Sequence, residues 1–261
     1  MSRIKFMNTE IDNLTMQETL KVIEELIQKN KNAYVVTPNV DHIVQLETNK
    51  ELQAVYENAS LILTDGKPLM WIAKWYGTPI KEKISGSDLF PLLCKMSAEK
   101  GYKMFFLGAA EGVAAKAAEN LSERYKGLQV VGTYSPPYGF EKNQIEMDKI
   151  KEMVKKSAPD ILIVGLGCPK QEKFMYYNCQ NLGVPISFGL GASLDFEAGN
   201  VKRAPKWMAN HGLEWLFRIT QDPKRMAKRY LLNDMKIFAL MFKYWRRDNG
   251  SISKYRNWWI L

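Results

Sequence analysis

Ala33-Tyr34-Val35-Val36-Thr37-Pro38-Asn39-Val40-Asp41-His42 opens the stretch whose reading decides the fold, and Leu61-Ile62-Leu63-Thr64-Asp65-Gly66 closes it. Each piece is a short, apolar, β-branched run that breaks into polar and turn-forming residues, with a charged helical segment between them. Two strands joined by a helix make a parallel pair, and both strands release polar side chains at their C-terminal ends. In open α/β sheets that edge is where ligands bind. Thr37, Asn39, Asp41 and Asp65 would then converge on one crevice. The plainer alternative is that two strands end in turn residues.

The flanking sequence extends the same alternation. Thr15-Met16-Gln17-Glu18 is a capping box, and Leu20, Ile23, Leu26 and Ile27 follow at helical spacing. After Asp65, Pro68 suits a first helical turn, and Leu69 to Tyr76 reads as a short helix. Lys81 to Ser87 reads as a polar loop, and Asp88 to Lys100 as a helix. Strands are expected at 103–108, 128–134, 160–165 and 185–189, with helices from 112 to 125, 143 to 157 and 172 to 181. Such an order predicts a Rossmann-like α/β fold, a parallel sheet flanked by helices with right-handed crossovers.

Gly165/Gly167 and Gly189/Gly191 each form Gly-x-Gly, yet neither completes the dinucleotide fingerprint. That disfavours a nicotinamide-dependent enzyme. Their backbone can still approach a phosphate or sugar, or the glycines simply make tight turns. There is no Walker lysine motif, no nucleophile elbow and no Asp-x-Asp for a metal-bound nucleotide diphosphate. Asp195-Phe196-Glu197 is the nearest acidic pair and reads as a turn or helix cap. Cys94, Cys168 and Cys179 show no Cys-x-x-Cys, and His42 and His211 are few for a metal site. No metal and no cofactor are expected, and the reading is of a reduced, cytosolic protein. Met1-Ser2-Arg3-Ile4-Lys5 lacks the apolar core of a signal peptide, and the longest uncharged run, Phe174 to Leu194, is too polar for a membrane span.

Charge divides the chain. The net charge is +9, but Lys202 to Leu261 holds 14 Lys/Arg against 4 Asp/Glu, together with five of the seven tryptophans. All the excess positive charge therefore lies in the last 60 residues, and two regions are expected: a catalytic domain over 1–200 and a basic helical appendage over 201–261. Asp222-Pro223 predicts the start of a long helix reaching about Arg247. On its wheel Leu231, Met235, Phe238, Phe242 and Trp245 share one stripe, and Arg229, Lys236, Lys243 and Arg247 share another. A basic amphipathic helix of this kind suits an anionic membrane surface, and Trp258-Trp259-Ile260-Leu261 adds interfacial aromatics. The competing readings are a helix docked on its own domain or on a second subunit. A basic, tryptophan-rich tail also suits single-stranded nucleic acid. Binding to anionic liposomes but not to oligonucleotides separates these classes.

Taken together, Thr37-Pro38-Asn39-Val40-Asp41, Thr64-Asp65-Gly66, Gly86-Ser87-Asp88 and Pro169-Lys170-Gln171-Glu172 resemble the WecG/TagA/CpsF family of glycosyltransferases. So do Gly189-Leu190-Gly191-Ala192, Arg203-Ala204-Pro205 and Glu214-Trp215…Arg218…Pro223…Arg225…Arg229-Tyr230, over about residues 8 to 232. The resemblance implies an inverting, metal-independent transfer of N-acetylmannosamine, or a related sugar, from UDP to N-acetylglucosamine-diphosphoundecaprenol. It places such an enzyme on the inner face of the bacterial cell membrane. It implies Asp65 as base and Thr37 as a catalytic positioner. Substrate contacts are implied at Asn39, Asp41, Gly66, Gly108, Gln171, Glu172, Gly191 and Arg203, and diphosphate contacts at Arg218, Arg225 and Arg229. Two departures stand out: Pro68 where many relatives carry glycine, and Lys83 where arginine is common, which keeps the charge but loses the bidentate fork.

Overall fold

The computed structural model describes residues 3–256, so the Trp258-Trp259-Ile260-Leu261 cluster lies outside the described residues. Six parallel strands form the sheet: β3 (Ala33–Val36), β4 (Leu61–Ile62), β5 (Lys103–Gly108), β6 (Gln129–Tyr134), β7 (Ile161–Gly165) and β8 (Ile186–Gly189). Their order is β4-β3-β8-β7-β5-β6. The alternation that makes them strands also builds two cores. Tyr34, Val36, Phe105, Leu107, Leu162 and Val164 enter one face of the sheet, and Ala33, Val35, Met104, Phe106, Ile161 and Ile163 enter the other. Both faces are helix-covered, which is why these strands are apolar throughout.

On the first face lie α2 (Val40–Leu46), α3 (Lys50–Glu57), α4 (Lys67–Trp75), α7 (Gln144–Ser157) and α8 (Lys170–Leu182). On the second lie α1 (Met16–Gln28), α5 (Gly86–Lys100), α6 (Val113–Arg124) and α9 (Ser193–Ala198). The Thr15/Glu18 capping box opens α1 as expected. Helix α5 begins two residues before Asp88, because the chain leaves the loop at Ser85. The supposed loop glycine, Gly86, is buried in its first turn beside Leu190 and Ser193. Asp195 and Glu197 fall within α9, where Glu197 pairs with Arg124 at 2.7 Å.

One element has no counterpart in the sequence reading. β1 (Arg3–Phe6) and β2 (Thr9–Asp12) form an antiparallel hairpin whose Phe6 and Ile11 enter the first core. It also guards the sheet edge: Asp12 Oδ2 accepts from the Ile62 backbone N–H at 2.9 Å, next to its ion pair with Arg3.

The C-terminal section adds α10 (Lys206–Asn210), α11 (Glu214–Gln221), α12 (Pro223–Lys228) and α13 (Lys236–Arg256). The single long helix expected from Pro223 is thus broken. Residues Arg229–Asn233 form a π-helical turn, in which the Asp234 N–H reaches back to the Arg229 carbonyl. Packing explains the break. It turns Arg229 toward Asn39 and Asp41, buries Asp234 beside it, and still lets Ile237 and Tyr244 enter the first core. The apolar stripe exists and is exposed, Phe238 at 53% and Phe242 at 60%. Of the basic stripe only Arg229 turns inward; Lys236, Lys243 and Arg247 are exposed, although Lys243 pairs with Glu47 and Arg247 donates to the Met7 carbonyl. Helix α13 therefore docks on its own domain with one side and leaves an aromatic side open. No helix among the described residues is long and apolar enough to cross a membrane.

Candidate active site

Strands β3, β4, β7 and β8 all end at one edge of the sheet, and the chain after each supplies a different chemical part. After β3, Thr37 is buried with its hydroxyl donating to the Gly189 carbonyl at 3.3 Å, and Asn39 caps α2. After β4, Asp65 precedes Gly66, whose φ of 101° admits the chain into α4 without a Cβ clash. After β7 and β8 come Cys168, Gln171 and Glu172, and Gly191. Helices α4, α6, α8 and α9 have no side-chain cap at their N-termini. Backbone carbonyls take up part of the deficit: the N–H groups of Val113, Gln171 and Ser193 donate to Ala110, Gly167 and Leu190 at 3.0–3.1 Å.

A cavity of ≈470 Å³ opens where this edge meets the C-terminal helices. Its floor is Asn39, Asp65, Gly66 and Lys83. Its roof carries Glu214, Arg218, Arg229 and Tyr230, and its outer wall is Trp71, Met235 and Phe238. One end is ionic and the other apolar. Gly212 closes the gap between roof and floor: its φ is +72°, and a Cβ there would stand 2.5 Å from the Trp71 ring.

Burial is the main reason Asp65 is displaced from the ordinary carboxylate range, its pKa pushed up to about 6, with Glu214 adding to the rise and Arg218, Lys83 and His42 opposing it. A carboxylate poised near neutrality at a cavity floor suits a general base. Burial also works against the charge on Arg218, but Glu214, paired at 2.8 Å, together with Tyr230 and Asp65 outweighs it. Asp234 is likewise lifted to about 6 by burial, with Asp41 adding to the rise and Arg229 opposing it.

Of the residues singled out in the sequence, Asn39, Asp65, Gly66, Arg218 and Arg229 line this cavity together. Arg229 Nη2 donates to Asn39 Oδ1 at 3.0 Å and joins the two ends of the chain. Asp41 sits just behind, accepting from Gln45 at 2.9 Å and facing Arg229 at 3.8 Å. Gln171 is buried, accepts from the Gly191 N–H at 3.0 Å and donates to Glu172 at 2.8 Å. Gly108 faces inward: a Cβ there would meet the Gly165 carbonyl at 2.5 Å, so glycine is required by strand packing. Arg203 is bound to Asp88 and Ser87. Arg225 is exposed and pairs with Asp222 at 2.7 Å, outside the cavity. Lys83 lines the cavity while paired with Asp88 at 2.8 Å. Burial opposes ionisation of Asp88, yet Lys83, Ser85 and Arg203 together hold it near 2.

Sequence reasoning passed over Glu214, Tyr230 and Trp71 as site residues. Glu214 and Tyr230 flank arginines that were singled out, and their neighbourhood was the available signal. Trp71 shows no sign in the sequence, since its place depends on the roof closing over it.

The chain is similar to known proteins over most of its length. The model of the glycosyl transferase WecG/TagA/CpsF family matches residues 4–251. An N-acetylglucosaminyldiphosphoundecaprenol N-acetyl-beta-D-mannosaminyltransferase of Bacillus spizizenii is 33% identical over 220 residues, covering 84% of this chain and 82% of that protein. Proteins of the same name from Bacillus subtilis strain 168 and Staphylococcus aureus strain MW2 are 28% and 26% identical. The former match covers 80% of this chain and 82% of the relative, the latter 87% and 88%.

Proposed function

The chain belongs to the WecG/TagA/CpsF family of glycosyltransferases, and from that premise we propose that it moves N-acetylmannosamine from UDP to the 4-hydroxyl of GlcNAc-diphosphoundecaprenol. Product of this kind is a linkage unit for a wall teichoic acid. Asp65 takes the proton of the acceptor hydroxyl as its oxygen attacks the anomeric carbon from the face opposite UDP. The bond to the UDP oxygen breaks, and the configuration inverts. Negative charge then grows on the departing diphosphate, and Arg218, Arg229, Lys67 and Lys83 are the cations that line the cavity.

The observation that carries this reading is a carboxyl group raised to about 6 at the floor of a cleft that is ionic at one end and apolar at the other. A hydroxyl on a sugar diphosphate with a polyprenyl tail matches such a cleft end to end. Thr37 and Asn39 position substrate, and Gln171 and Gly191 shape the edge on which the nucleotide sugar rests. The exposed face formed by Phe242 and Trp245 of α13, with Leu231 and Met235 just before it, rests on the cytoplasmic leaflet, so the lipid acceptor need not leave the bilayer. The chain is then a peripheral membrane enzyme with a catalytic domain to about residue 200 and a membrane-facing appendage after it.

Release of UDP from UDP-N-acetylmannosamine is measured with a short-chain diphospholipid acceptor, and EDTA is added at the start of the assay. Turnover is expected for the full chain and is expected to persist with EDTA. It is expected to fall by at least a hundredfold in Asp65→Ala with the fold intact. Near-normal turnover in Asp65→Ala would remove Asp65 as the base. Faster turnover with another UDP-sugar would reassign the donor and leave the reaction class standing.

A further inference from the structure

Behind the cavity floor lies a second group of reactive side chains that the transfer reaction does not use. His42 stands in the first turn of α2, and Glu172 in the first turn of α8, with Cys168 on the turn between β7 and α8. One ligand atom from each lies within 4.8 Å of the other two. His42 and Glu172 are buried, and Cys168 is half-buried.

Hydrogen bonding defines what this cluster lacks. His42 Nδ1 lies 2.9 Å from Asn39 Oδ1 and 3.4 Å from the Asn39 backbone nitrogen, so Asn39 holds the ring with both its side chain and its main chain. His42 Nε2 lies 3.2 Å from Glu172 Oε1, an ion pair when the ring is protonated and two facing lone pairs when Nδ1 alone carries hydrogen. In that second state the lone pairs repel unless a positive centre stands between or beside them. Glu172 Oε2 is buried with no partner, and so is the hydroxyl of Tyr56, whose ring is 6.5 Å from that of His42. Burying an unpartnered carboxylate oxygen is costly. A simple nucleophile relay does not fit either. It needs its thiol and its carboxylate on opposite ring nitrogens, and here Asn39 and Glu172 already occupy the two.

We propose that His42, Cys168 and Glu172 bind one divalent transition metal, with Zn²⁺ the best match. Imidazole, thiolate and carboxylate are its usual ligands, and a tetrahedral ion about 2.0–2.3 Å from each would hold ligand atoms at separations of this order. Binding releases the Cys168 proton to solvent, and the fourth position takes water. The surrounding contacts also match a metal centre. Asn39 fixes the ring through Nδ1, and the Gln171 amide donates to Glu172 Oε1, so each of those ligands has an outer partner. The ion has no part in sugar transfer. It clamps α2 to α8, and through Asn39, which accepts from Arg229, it sets the position of one roof arginine.

The test uses untagged full-length protein purified under reductant. Zinc is counted per chain by mass spectrometry, and the chain is also produced in cobalt-supplemented medium for absorption spectra. One equivalent of zinc is expected, with a thiolate-to-cobalt charge-transfer band in the cobalt form. That band should vanish in Cys168→Ser and persist in Cys179→Ser, and Glu172→Gln should weaken metal binding at least tenfold. The wild-type spectrum decides the matter even if a variant fails to fold. Metal far below one equivalent with no thiolate band overturns the site. A His42 found doubly protonated by NMR would overturn it too, the ring then being a buried imidazolium paired with Glu172.

Discussion

Asp65 carries two opposite demands. Its carboxyl is raised to about 6, so below that pH it is protonated and cannot accept a proton. We expect kcat/KM to fall about tenfold per pH unit below about 6, as read from a pH–rate profile of the full chain. The same shift acts on stability with a definite sign. The folded-state value lies above the unfolded one near 3.8, so the native state holds its proton more tightly. Stability is therefore greatest below about 3.8 and is lost as pH rises through about 6. Asp65→Asn should remove that loss and stabilise the chain at pH 7 by up to about 2 kcal/mol in denaturant titration, reduced by solvent reaching the cavity mouth. Loss of activity with gain of stability is what a functional carboxylate gives, and a structural one gives the reverse. Asp65 was legible in the sequence because a strand ending in Asp-Gly announces itself locally. Its environment was not, since Glu214 and Arg218 stand about 150 residues away in the chain.

Helix α13 has three sides, and the sequence wheel distinguished only two. Ile237 and Tyr244 bury against the domain, Tyr244 donating to Glu47 at 2.8 Å, while Phe238, Phe242 and Trp245 remain open. Trp245 stacks with Trp75 of α4, both of them exposed, at 5.9 Å, so the open side continues onto the catalytic domain. Phe238→Ser with Phe242→Ser should leave circular dichroism unchanged. It should weaken vesicle sedimentation at least a hundredfold, since each buried phenylalanine contributes roughly 1.5–3 kcal/mol. Tyr244→Ala should instead destabilise the fold by about 3 kcal/mol, visible as an earlier thermal transition. The strands, α1 and the exposed stripe were readable because period and capping are local signals. The π-turn at Arg229–Asn233 was not, because it answers to Asn39, Asp41 and the first core rather than to its own residues. The hairpin at Arg3–Asp12 escaped for a similar reason, its strands being too short to show a period.

Across the whole molecule, the charge imbalance located the roof of the site better than it described a membrane contact. Arg218 and Arg229 enter the cavity, and Lys243 and Arg247 are tied to the domain. Lys224, Lys228, Lys236 and Arg246 stay exposed for an anionic surface. Replacing these four with glutamine should reduce binding to anionic vesicles on the order of a hundredfold and blunt its salt dependence, at about 1 kcal/mol or less per charge. Turnover on a soluble acceptor should change little.

Asp65 and Arg218 meet across the cavity, yet roughly 150 residues of synthesis separate them. At about 5–20 residues per second Asp65, the proposed base, leaves the ribosome some 8–30 s before Arg218, the arginine proposed to steady the departing diphosphate. The growing chain thus holds Asp65 early and the two roof arginines last. Under the proposed mechanism a half-made chain cannot squander nucleotide sugar, and competence arrives only as the final helices are laid over the sheet.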